Sequence, residues 1–229
     1  APAGRLQVDY IGGLNNAELE GARIGVLRGQ AGFHEGVDAL FDQAVADLEQ
    51  AGAELVEDLS YPETEQGLAG YSDVLLHDFH HTVDQYLAGL PDNDVTVASL
   101  EDLIAFNREY PDREMKWFQQ ELFVEAAKTA GLDNPDYREK RDRIEHTARA
   151  GIDGLISEHK LDALIAPTTS AAWSIDRING DHFLGGSSSY PAIAGYPNIT
   201  VPMGYLHGLP VGLSWIGPAF AEQQLLALA

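Results

Sequence analysis

Apolar residues recur along this chain with two periods, and the change from one to the other falls at glycines and prolines. Ala22–Arg28, ARIGVLR, alternates apolar with polar or small positions, the two-residue period of a strand, and Gly29 and Gly32 close it. Over Gly36–Gln50 the period lengthens, so that Val37, Leu40, Phe41, Ala44, Val45 and Leu48 share one side of a helix that stops at Ala51-Gly52. Glu54–Leu59 returns to the strand pattern. Strand, helix and strand in so short a span predict a βαβ unit with parallel strands and a right-handed crossover.

Helical spacing dominates the middle of the chain. Residues 63–90 predict a long helix ending before Pro91, with Tyr71, Val74, Leu75, Phe79, Val83 and Leu87 on its apolar side. Ser99–Asn107 predicts a short helix with Ser99 as its cap and Asp102 three residues on. After Pro111, Arg113–Ala130 predicts a further helix packed through Trp117, Phe118, Leu122 and Phe123. Asn134 and Pro135 open another that runs to about His159.

Leu161–Ala166 is a buried strand closed by Pro167, and an aperiodic stretch follows to Ser189. A loop that long in a folded domain is functional or disordered, and Trp173, Ile175, Ile178 and Phe183 argue for an ordered pocket wall. Tyr190–Gly195 predicts a short helix or turn, and Ile199–Val201 and Val211–Ile216 two short strands. Residues 207–210 join them so briefly that they must be antiparallel, and an amphipathic helix begins near Ala221. The fold class that follows is α/β, a mixed β-sheet covered by helices.

Charge narrows the partners. Asp and Glu number 36 against 14 Lys and Arg, a formal net charge of −22, which repels nucleic acid and anionic membrane surfaces. The absence of Cys removes disulfides, thiol nucleophiles and Cys-type zinc sites. No apolar run is long enough to span a bilayer and the first residues lack the pattern of a secretion signal, so the cytoplasmic compartment is the default expectation. The chain starts without Met and stops at LLALA inside a helical pattern, so both ends read as cuts.

Several clusters could carry chemistry. The loop GQAGFHEG places Gly29, Gly32 and Gly36 outside the G-x-G-x-x-G spacing of a dinucleotide site and reads as an ordinary βα connection. His77 and His81 lie four apart with Asp84 one turn on, the spacing a metal would want of a helix, although Asp78 stands where H-E-x-x-H has Glu. A polar helix face rich in His is the competing reading there. Asp176, Asp181 and His182 could join a serine of Ser187–Ser189, or Asp176, Asn179 and Asp181 could serve as turn-forming side chains, and no G-x-S-x-G elbow is present. The serines of GGSSSYP, Gly185 to Pro191, have three readings: caps for the following helix, lining of a pocket, or nucleophile.

Taken in order, RIGVL (Arg23–Leu27), DALIAPT (Asp162–Thr168), the segment Ser188–Gly204 containing AGYPNITVPMG, and GLPVGLSWIG (Gly208–Gly217) resemble the C-terminal half of the amidase signature family. Either glycine-rich piece alone is weak; the combination is specific. The resemblance implies hydrolysis of carboxylic amides by a Ser nucleophile, a bridging Ser and a Lys base, all carried in the family's N-terminal half and matched by nothing in this chain. By order, GGSSSYP corresponds to the family's later serine-containing turn. The lysines, Lys116, Lys128, Lys140 and Lys160, fall on helices or helix ends.

The resemblance therefore implies a C-terminal portion of an amidase-like domain over residues 1–229, a truncated fragment inactive by itself that supplies scaffold and pocket wall. Its expected lining is Trp173, Asp181, Phe183, Ser187, Ser188, Ser189 and Tyr190, with no catalytic residue, metal ligand or cofactor assigned. Its expected partners are a small-molecule amide substrate in the full-length enzyme and the N-terminal half. An unpaired sheet edge would favour a homo-oligomer. A non-catalytic binding or assembly module, and a metal-dependent hydrolase built on His77, His81 and Asp84, are the alternatives.

Overall fold

The structure, a computed structural model, describes residues 9–14, 19–62, 67–91 and 97–229. It divides into two units, one of Ala1–Glu65, Glu145–Ser174 and Asp181–Ala229, the other of Gln66–Ile144 and Ile175–Gly180. The first begins with the four-residue helix α1, Tyr10–Gly13, and is built on a five-stranded sheet in the order β2-β1-β3-β5-β4. Its strands are β1 (Arg23–Val26), β2 (Glu54–Val56), β3 (Ala163–Pro167), β4 (Asn198–Leu206) and β5 (Leu209–Ile216). β1 is parallel to both β2 and β3, whereas β5 is antiparallel to β3 and β4, so the sheet is mixed.

Alternation along the strands decides the core. Ile24, Val26, Ile165, Leu213 and Trp215 point to one face, where Val37, Phe41, Ala44, Val45 and Leu48 of α2 (Glu35–Gln50) meet them. Leu164 and Ile216 stand opposite each other in register and point to the other face, fully buried. Gly25 sits between the core residues of β1, and a Cβ there would lie 2.6 Å from Leu161 and 2.8 Å from Leu164 and Leu59. Close packing against that strand therefore needs glycine.

Strands and helices differ from expectation mainly at their ends. β1 stops at Val26, and a single 3-10 turn, Arg28–Gln30, leads into α2. His34 caps α2: its Nδ1 accepts from the amides of Gly36 at 3.1 Å and Val37 at 3.3 Å. That cap occupies the amides a phosphate would use, which agrees with an ordinary βα loop. The hairpin strands β4 and β5 are longer than the expected apolar cores because Pro202, Tyr205, Leu206, Leu209 and Pro210 continue the ladder. His207 and Gly208, at φ of 51° and 81°, make a two-residue turn of the primed type that suits strand twist.

The second unit is helical: α3 (Tyr71–Ala88), α4 (Leu100–Glu109), α5 (Pro111–Glu114), α6 (Glu121–Ala126) and the beginning of α7 (Pro135–His159). Leu100, Ile104 and Ala126 form its buried centre with Leu76, Phe79, Val83 and Phe123 around them. α3 begins at Tyr71 rather than near residue 63, because Gly70 takes a left-handed φ of 85° that no helix interior holds; residues 63–66 lie outside the described residues. The expected helix Arg113–Ala130 is in fact two short ones. Gln120 donates to the Ile104 carbonyl at 3.2 Å and accepts from Asn107 at 3.1 Å, which anchors the chain between them, and leaves Trp117, Phe118 and Leu122 exposed. Ser99 caps α4 as expected, and Asp102 returns a bond to the Ala98 amide at 2.9 Å.

Candidate functional site

The chain leaves β3 at Pro167, makes its long loop and comes back beside the strand it left. Ser170 N–H donates to the Gly185 carbonyl at 3.0 Å and Ser187 N–H to the Thr168 carbonyl at 3.2 Å, while Thr169 and Gly186 form an isolated antiparallel bridge. Two glycines make this return possible. A Cβ on Gly185 would stand 2.4 Å from the Phe33 ring, and one on Gly186 would stand 3.0 Å from the Thr168 carbonyl.

The candidate residues do not share one role. Ser187 is 1 % exposed and its Oγ has no hydrogen-bond partner. Ser188 stands at the cap position of α8 (Ser189–Ala194) but makes no side-chain cap bond, so the capping reading of the serines is corrected: the backbone at Ser188 is already helical and turns the hydroxyl away from the amides. Ser188 and Ser189 are exposed. Tyr190 stacks on Tyr61 with ring centroids 3.7 Å apart and planes within 9°, and lies against Gly151 of α7. Burial raises the pKa of the Tyr190 hydroxyl, and raises that of Tyr61 further, with Tyr190 contributing there.

Trp173 donates through Nε1 to Asp181 at 3.3 Å, and Phe183 is 62 % exposed. Asp176 accepts from the amides of Ile178 at 2.8 Å and Asn179 at 3.0 Å, and the bonds from Asn179 hold its carboxyl below the usual range. It is a turn residue, one of the two roles its position in the sequence allowed; Asp181 instead serves the indole.

Beneath the serine turn lies a group of hydroxyls that periodicity did not single out. Thr168 Oγ1 is 3.0 Å from Ser214 Oγ and 3.4 Å from Thr200 Oγ1, and Thr200 and Ser214 are 3.4 Å apart. Ser214 is completely buried. The three come from the end of β3 and from a cross-strand pair of β4 and β5, so only the register, which pairs Thr200 with Ser214, brings them together. Gly212 completes the arrangement, since a Cβ there would meet Thr168 Oγ1 at 2.8 Å. A trio of hydroxyls can donate and accept around a polar group, but holds no base strong enough to activate a nucleophile.

In the helical unit the alternative metal set of His77, His81 and Asp84 is not assembled. His77 is buried, stacks on Tyr137 at 5.0 Å and leaves Nδ1 without a partner, while His81 is exposed. Asp84 meets His80, four residues before it on the same helix face, and Glu101 instead. A cavity of about 550 Å³ lies in the same unit, lined by Leu75, Leu76, Phe79, Leu122 and Phe123 with Ser72, Asp78 and Thr82. None of the expected lining residues belongs to it. Of the lysines, Lys128 pairs with Glu125, Lys140 with Asp73, and Lys116 lies over the Trp117 ring at 5.1 Å. No described helix is long and apolar enough to cross a membrane.

Known proteins resemble this chain from end to end. The sequence profile of the amidase family matches residues 7–226. A probable amidase of Arabidopsis thaliana is 31% identical over 94% of this chain and 38% of its own length. The crystal structure of the native peptide amidase from Stenotrophomonas maltophilia superimposes with a TM-score of 0.83 at 38% identity, over 96% of this chain and 44% of that one. A peptide amidase bound to the competitive inhibitor chymostatin gives a TM-score of 0.87 at 38% identity, over 99% of this chain and 47% of that one. The chain thus spans less than half the length of these relatives. The likeness in sequence and in structure takes in the sheet, the serine turn and the AGYP hairpin together, and this chain belongs to the amidase family.

Proposed function

We propose that the protein containing this chain hydrolyses carboxylic amide C–N bonds, and that the chain is its C-terminal portion, supplying scaffold and one wall of the substrate pocket. The observation that carries this reading is the serine turn itself. It is the chain's one glycine-serine segment of catalytic appearance, yet Ser187 Oγ is buried without a partner and Ser188 bonds nothing that could take its proton. A Ser hydroxyl attacks an amide only when a base draws off its proton and donors stabilise the oxyanion. In this reading the Lys and the serine pair lie in the part of the relatives that this chain does not cover.

Trp173, Asp181 and Phe183 are then the exposed edge of the wall, with Ser187, Ser188, Ser189 and Tyr190 the turn that holds it. Tyr190 acts through its stack on Tyr61. Peptide amides are the substrate class to try first, because two of the similar structures carry the name peptide amidase. An N-terminal half is the expected partner, and β4, unpaired on its outer side among the described residues, is the edge at which further strands could join.

Release of ammonia from a peptide amide tests the reading. The 229-residue chain alone is expected to give no turnover. Ser187→Ala, Ser188→Ala and Ser189→Ala in the whole protein are expected to keep at least about a tenth of kcat. Turnover by the chain alone that Ser188→Ala abolishes would overturn it.

A further inference from the structure

We infer that His80, Asp84 and Glu101 of the helical unit form a site for one divalent transition-metal ion of the zinc class. His80 and Asp84 stand one turn apart on α3, and Glu101 comes from the first turn of α4. His80 Nε2 lies 3.5 Å from Asp84 Oδ2 and 3.5 Å from Glu101 Oε1, and one ligand atom from each residue falls within 4.8 Å of the others. In a tetrahedral zinc site with bonds near 2.1 Å, neighbouring ligand atoms are about 3.4 Å apart. Two of the three edges already have that length. The third closes by rotation of Glu101, whose side chain is 57% exposed.

The surroundings orient the ligands. Thr129 gives its hydroxyl proton to the Ala126 carbonyl at 2.7 Å, so its oxygen can only accept from His80 Nδ1 at 3.3 Å. That bond fixes the tautomer with the proton on Nδ1 and the Nε2 lone pair aimed at the two carboxylates, the outer support that metal-binding histidines use. Asp84 is held in turn, since Oδ1 accepts from the Leu100 amide at 2.9 Å and Oδ2 is left for the ion.

Three electron-pair donors facing one another favour a positive charge between them. A proton on Nε2 would draw a carboxylate to about 2.7–2.9 Å, the length of a charge-assisted bond. Both separations, 3.5 Å, are longer than that and leave room for an ion between the three atoms. One imidazole with two carboxylates suits zinc better than magnesium, which prefers oxygen ligands and keeps its water. Such an ion would tie α3 to α4, and the inference stands apart from the amide chemistry proposed above.

Calorimetric titration of Zn²⁺ into the chelator-treated whole protein tests it. One ion per chain is expected, with no saturable uptake of Mg²⁺ at the same concentrations. Glu101→Gln, an exposed change that leaves the helix core intact, and His80→Gln should each weaken Zn²⁺ binding by at least about tenfold. His81→Gln should leave it unchanged. Histidine ¹⁵N spectra should show Zn²⁺ shifting Nε2 of His80 while its Nδ1 keeps the proton. Absence of stoichiometric Zn²⁺ binding, unaltered affinity in Glu101→Gln, or loss of binding in His81→Gln would each overturn the assignment.

Discussion

Replacing Tyr61 by Phe should make the sheet unit more stable. Tyr61 is 5% exposed, its ring lies flat on Tyr190 at 3.7 Å, and its hydroxyl has no hydrogen-bond partner. A buried hydroxyl left unpaired costs about 1–3 kcal/mol, because water that satisfied it in the unfolded chain is gone. Phe keeps the ring, and with it a stacking contribution of about 0.5–1.5 kcal/mol. The net expectation is a gain of about 1 kcal/mol. With a urea slope of about 2 kcal/mol per molar, the unfolding midpoint should rise by about 0.5 M with the slope unchanged. Tyr190→Leu, which removes the stacked partner and keeps the hydroxyl, should lower stability by about 1–2 kcal/mol. A loss of about 1 kcal/mol or more in Tyr61→Phe would refute the reasoning, since it would mean that the hydroxyl bonds to something worth keeping.

Tyr61 and Tyr196 predict behaviour at high pH. Burial raises the Tyr61 pKa, and burial followed by the bond to Asp153 raises that of Tyr196 to about 12. Both stay protonated in the folded state after the unfolded chain begins to lose its protons near pH 10. Their contribution is present in full below about pH 10 and is lost as pH rises towards 12, so urea midpoints should fall across that window, less steeply in Tyr61→Phe. Asp162→Ala should cost about 1–2 kcal/mol in urea unfolding, because Asp162 Oδ2 accepts from the Arg23 amide at 2.8 Å across the β1–β3 junction and Oδ1 accepts from Gln224 of the C-terminal helix at 3.0 Å. Gly185→Ala should cost about 1–3 kcal/mol by driving a methyl against Phe33, and Phe33→Leu in the same chain should recover part of the loss.

Much of the architecture was legible in residue order. The βαβ unit, the buried DALIAPT strand, the caps at Ser99 and Asn134, and the terminal hairpin and helix all stand where local pattern put them. Each rests on contacts between residues close in sequence, or on a burial period that a strand or helix must obey. Misreadings fell where a distant partner intervenes. The helix expected over Arg113–Ala130 breaks because Gln120 reaches back to Ile104 and Asn107. The serine turn invited a capping role because Ser is a good cap, but its backbone is already helical at Ser188.

Functional residues divide along the same line. Motif order was enough to recognise the amidase family, because AGYPNITVPMG and GLPVGLSWIG are contiguous and their spacing survives without coordinates. Which hydroxyls gather beneath the serine turn was invisible, since Thr168 follows β3, Thr200 and Ser214 lie on two other strands, and their meeting depends on register. His77, His80 and His81 were equivalent as letters. α3 packing buries the first, Thr129 and Glu101 claim the second, and the third is left to solvent. Sequence by itself thus determined most of the elements, the sheet class and the family, all matters of periodicity and order. Tertiary structure alone decided which side chains meet, because a hydrogen bond or a ligand set is a relation between positions that chain order does not measure.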